Sequence, residues 1–111
     1  MEVFSKCKGH CAYCGEPIHA KAFQVDHVKS QYYHRLGLFE KDELDSIDNL
    51  LPACGKCNNF KGAMGLEEFR SELQKQVTRL QKNAQFNRAL RFKQIELTET
   101  PIVFYFERVG E

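Results

Sequence analysis

Two Cys-x-x-Cys pairs, Cys11-Ala12-Tyr13-Cys14 and Cys54-Gly55-Lys56-Cys57, supply four thiols at knuckle spacing. Two such knuckles can close a tetrahedral zinc shell, and a shell of four thiolates keeps no open position. That zinc would hold structure and do no chemistry. The chemistry would fall to the residues it pins together: Asp26 and His27 between the pairs, and Asn58 directly after the second. Imidazole is the side chain that exchanges protons near neutral pH, so a histidine suits a general base. A carboxylate and an amide oxygen are hard ligands that suit magnesium, which keeps several of its waters. A base, two oxygen donors and a cation are what phosphodiester hydrolysis needs: a nucleophile made from water and positive charge beside the phosphate.

Other residues compete for these roles. His10 adjoins Cys11 and is a rival zinc ligand, although four cysteines already suffice. Cys7 is the odd thiol, either a spare or a substitute for Cys11, with the spacing to Cys14 favouring Cys11. Asn59 replaces Asn58 if the following helix starts one residue later. His19 and His34 lie in polar surroundings and read as surface residues. The start of the chain, Met1-Glu2-Val3-Phe4-Ser5-Lys6, has no apolar stretch, and no run is long enough to span a membrane. The expected location is therefore cytoplasmic and reducing, where paired cysteines read as metal ligands before disulfides.

The elements that must position these groups are short. A chain of 111 residues suits one domain. Ala22 to Val28 alternates apolar and polar residues, which predicts a strand with Phe23 and Val25 on one face and Gln24 and Asp26 on the other. Neighbours on a regular strand point to opposite faces, so Asp26 and His27 can share a site only at a twist or strand end. Asn49 is a candidate to fix the loop there by bridging backbone groups; the plainer reading is a turn residue. The stretch 31–48 reads as a polar loop with a helical turn or two, and Pro52 confines pairing of 47–53 to an edge. Asn58 to Ala63 predicts a short helix ended by Gly62 and Gly65. Leu66, Phe69, Leu73, Val77 and Leu80 make one apolar stripe of a longer helix that stops near Asn83, with a second short helix around Phe86 and Leu90. Pro101 to Glu107 predicts a strand, and the first nine residues a frayed lead-in. The expected class is α+β, with a core over residues 1–65 and an extension over 66–111.

Net charge is +1, but the charges segregate. Acids gather at Glu40, Asp42, Glu43, Asp45 and Asp48, whereas Arg70, Lys75, Arg79, Lys82, Arg88, Arg91 and Lys93 face only Glu72 within 70–93. Such a basic segment can neutralise phosphates, and Arg70, Lys75 and Arg79 are the expected substrate contacts. A solvated helix face is the bland alternative.

The full order is Cys-x-x-Cys, then Val25-Asp26-His27-Val28, then Asp48-Asn49-Leu50-Leu51-Pro52-Ala53-Cys54-Gly55-Lys56-Cys57-Asn58-Asn59-Phe60-Lys61-Gly62. It resembles the HNH nuclease family over roughly the first sixty residues. The resemblance implies a ββα-metal core with zinc knuckles at its base. It implies His27 as general base, Asp26 as ligand of a catalytic Mg2+ or Mn2+, and Asn49 as the asparagine that orients the histidine loop. The last motif position, often histidine in the family, is Asn58 here, which gives a His-Asn-Asn variant. Lys61 matches a family lysine near the phosphate. The implied activity is metal-dependent cleavage of double-stranded DNA with low sequence specificity and a nick as the elementary product. A phage or mobile-element setting is a further expectation. The competing expectation is a non-catalytic zinc module that binds nucleic acid or a protein. Oligomeric state is not read from the chain.

Overall fold

The computed structural model describes residues 2–109. Helix α1 (Glu2–Ser5) precedes the first knuckle, and strand β1 (Gln24–His27) follows it. Helices α2 (Tyr32–Arg35) and α3 (Lys41–Leu44) and a 3-10 turn (Ile47–Asn49) lead to strand β2 (Leu50–Ala53). Helix α4 (Gly55–Lys61) comes directly after it, then α5 (Leu66–Gln74), α6 (Gln76–Leu80), α7 (Ala84–Arg91) and α8 (Tyr105–Val109). The chain divides into two compact units. One comprises the described residues of Met1–Leu66 and Val103–Glu111, and the other is Glu67–Ile102. No helix among the described residues is long and apolar enough to cross a membrane.

In the first unit, β1 and β2 pair antiparallel with Asp26 opposite Leu51 and His27 opposite Leu50. Both strands of a two-stranded sheet are edges, which is why Pro52 is tolerated opposite Val25. The strand alternation is present, but the buried side of β1 is that of Asp26, while Val25 is 40 % exposed. Helix α4 packs on β1 and completes a ββα core. It begins three residues earlier than expected because Cys54 is its N-cap, with Sγ accepting the Cys57 amide at 3.4 Å. Gly62 ends it at φ +52°, a conformation that favours glycine.

Two expectations fail here, each for a visible reason. From Glu2 on the lead-in is not frayed: α1 packs on β2. Lys6 Nζ donates to the carbonyls of Ile47 and Leu50 at 2.7 Å each, and Phe4 lies 5.2 Å from Phe23, ring to ring. The C-terminal strand is absent. Its amides find a different partner, the carbonyls of the first knuckle, with Tyr105 N–H donating to Tyr13 O and Phe106 N–H to Ala12 O. The Glu107 carboxylate accepts the Phe104 amide at 2.8 Å, so the chain turns into α8 rather than running on extended. Phe104 is buried edge-on against Tyr13 at 5.1 Å.

In the second unit the long helix breaks at Lys75 into α5 and α6. The stripe is core at Phe69, 1 % exposed, but Val77 and Leu80 at its far end are exposed. Helix α6 ends at Leu80, short of Asn83, which instead starts α7: its side chain accepts the Phe86 amide at 3.0 Å.

Candidate functional site

The two knuckles meet. Cys11, Cys14, Cys54 and Cys57 bring their Sγ atoms within 4.8 Å of one another, with Cys14 and Cys54 sulfurs 3.9 Å apart. Zinc–sulfur bonds of about 2.3 Å in a tetrahedron separate the sulfurs by roughly 3.8 Å, so this donor set fits zinc. Amides point at the sulfurs: Tyr13 N–H to Cys11 and Cys57 N–H to Cys54, both at 3.4 Å. A hydrogen bond from Cys57 holds the Cys11 thiol low and pushes Cys57 up, as expected where thiols crowd closely enough to share protons. Neither Cys7 nor His10 is part of this group. Cys7 is buried and its thiol is pushed up by that burial, while His10 Nδ1 meets the Lys8 carbonyl at 3.1 Å.

The clasp reaches Asp26 through one side chain. Tyr13 stands between Cys11 and Cys14, and its hydroxyl donates to Asp26 Oδ2. Burial first, and the Asp26 bond second, raise the Tyr13 phenol, so it stays a donor. From the other side Lys61 Nζ lies 3.2 Å from Asp26 Oδ2 and 3.3 Å from Oδ1. The same ammonium donates to the carbonyl of His27 at 3.1 Å and meets that of Val28 at 3.4 Å. Lys61 is 1 % exposed and turned onto Asp26 and the backbone of β1. Its charge neutralises Asp26, as a buried charge requires.

Asp26, His27 and Asn58 line one cavity of about 470 Å3. Asp26 and His27 can share it because β1 ends at His27. Asn58 Nδ2 donates to Gln24 Oε1 at 2.7 Å, which leaves the amide oxygen as its free end. Asn59 is exposed and is not part of the lining, which includes Asn58. Asn49 lies outside the cavity and ties its frame. Its Oδ1 accepts the Lys29 amide at 2.8 Å, and its Nδ2 donates to Lys29 O at 3.0 Å and Leu44 O at 2.7 Å.

Several site residues were not singled out by sequence. Arg35 is the one arginine or lysine lining the cavity. Tyr13 and Asp45 were invisible as partners, the first inside a knuckle and the second in an acidic cluster that reads as solvated surface. His27 Nε2 lies 2.9 Å from Asp45 Oδ1. The expected phosphate contacts Arg70, Lys75 and Arg79 have carboxylate partners within the second unit. Arg70 bonds Glu67 and the Ile102 carbonyl, and Lys75 and Arg79 share Glu72 at 3.4 and 3.0 Å.

Comparison with known proteins agrees with this geometry. Residues 11–63 match the family model of the HNH endonuclease, a stretch that runs from the first knuckle through α4. A search of the curated proteins found no match.

Proposed function

Residues 11–63 belong to the HNH endonuclease family, and from that premise we propose that the chain is a metal-dependent endonuclease hydrolysing phosphodiester bonds of double-stranded DNA. The observation that carries this reading is the common cavity of Asp26, His27 and Asn58 beside a four-sulfur clasp. A divalent cation held by the Asp26 carboxylate and the Asn58 amide oxygen, Mg2+ or Mn2+, would supply positive charge against the phosphorane and the leaving oxygen. His27 takes a proton from water as its oxygen attacks phosphorus. The P–O bond to the leaving alkoxide breaks, and the alkoxide regains a proton from solvent. Arg35, which lines the cavity, would meet the phosphate in place of the buried Lys61. Asn49 holds the loop behind His27.

With no base-reading element among the described residues, binding rests on phosphate contacts, so specificity is low and affinity falls steeply with salt. One such site cuts one strand, so the elementary product is a nick. The test is supercoiled plasmid with zinc-loaded protein and Mg2+ or Mn2+. Wild type converts it to nicked circles, and His27→Ala loses roughly 10²–10⁴-fold in rate. If wild type converts no more plasmid than His27→Ala under either metal, the enzyme reading gives way to a zinc-dependent binding module.

A further inference from the structure

Asp45 lies outside the cavity but bonds the ring that lines it. Its position is built rather than incidental. It is the C-cap residue of α3, a helix opened by a reciprocal capping box between Glu40 and Glu43. Leu44, next to it, is 1 % exposed, and the Leu44 carbonyl accepts Asn49 Nδ2 at 2.7 Å. The same Asn49 amide grips Lys29, two residues after His27. One side chain therefore fixes the turn that carries Asp45 against the loop that carries His27.

We propose that Asp45 is a positioning residue that holds His27 in the Nε2–H tautomer and leaves Nδ1 as the nitrogen that accepts the proton of water. An ionised carboxylate can only accept, so the hydrogen of this 2.9 Å bond sits on Nε2. A neutral imidazole carries one N–H, so Nδ1 keeps the lone pair. The same bond is the chief cause that lowers the Asp45 carboxyl from the ordinary range. The Gln31 amide, 3.4 Å from the same imidazole nitrogen, lines the cavity and borders the pair on that side. A chance surface ion pair would be expected to lack a shared anchor of this kind, and such pairs rarely hold a fixed geometry.

The inference rests on the nuclease reading for its consequence but not for its measurement. Nitrogen-15 NMR of zinc-loaded full-length protein, well above the range where imidazoles titrate, reads the His27 tautomer directly. Wild type is expected to show the Nε2–H form, and Asp45→Ala a mixture of both. Plasmid nicking by Asp45→Ala should fall roughly tenfold or more in kcat, part of what a positioned base supplies, with the KM for metal unchanged. Asp45→Glu should restore the tautomer and part of the rate. An unchanged His27 tautomer in a folded Asp45→Ala protein overturns the proposal even if wild type cleaves DNA. A wild type that cleaves nothing overturns the nuclease reading and leaves the tautomer result standing.

Discussion

Among the carboxylates that face lysine or arginine, Asp26 and Glu72 could hardly be more different. Asp26 is 3 % exposed, meets a fully buried Lys61, and takes a further bond from Tyr13. Glu72 is shared by Lys75 and Arg79 on an open helix surface, where those two cations are more than half exposed. The first pair lies at a cavity beside a sulfur clasp, and the second lies on helices that carry charge and little else. Water decides the difference. A buried charge must have a partner with good geometry, so removing that partner is costly. An exposed pair gains little over hydration and is screened by salt. Residue type alone says little about an ion pair; burial says how much depends on it.

The largest expected effect comes from the clasp that frames the buried pair. Stripping the metal with a strong chelator should abolish hydrogen-exchange protection across Cys11–Lys61, because zinc binding and folding are coupled in small closed sites. Unchanged exchange after verified metal loss would break the comparison at its root. Next in size, Lys61→Met leaves Asp26 buried without its cation and should cost about 3–5 kcal/mol in denaturant unfolding. A loss no larger than that of an exposed pair would mean Asp26 finds water or another partner.

Tyr13→Phe keeps the ring against Phe104 and deletes one buried hydrogen bond, for about 1–2 kcal/mol, with zinc content unchanged. Loss of zinc from this variant would mean that Tyr13 serves the shell and not Asp26. The smallest effect belongs to Glu72→Gln, whose thermal midpoint at neutral pH should stay within measurement error of wild type. Its sign with pH is definite. Arg79 first, and Lys75 after it, lower the Glu72 carboxyl, so its contribution is present above the ordinary carboxylate range and fades as pH falls through it. A midpoint gap between wild type and Glu72→Gln that widens toward acid would contradict this.

The clasp and the first strand were legible because they rest on local spacing. Cys-x-x-Cys fixes its own turn, and a strand period of two puts Asp26 and Phe23 on opposite faces within a few residues. What stayed hidden depends on long-range partners. Pro101–Glu107 has strand-forming residues, yet its amides meet the knuckle carbonyls of Ala12 and Tyr13 and a Glu107 cap, so it becomes α8. Nothing near Lys61 in sequence announces Asp26 as its partner, 35 residues away. Asp45 reads as one acid among five until α3 turns it onto His27. Val77 and Leu80 keep helical spacing, but nothing covers them enough to make them core.

In the proposed reading the clasp holds an oxygen pair and an imidazole around a place for a second, looser cation. Titrating zinc-loaded protein with Mn2+ while following proton and nitrogen NMR tests it most directly, because the paramagnetic ion broadens whatever lies near it. Resonances of Asp26, His27 and Asn58 should broaden first, and Asp26→Asn should abolish that pattern. Broadening confined to the acidic residues of 40–48, with the cavity resonances sharp, would contradict it.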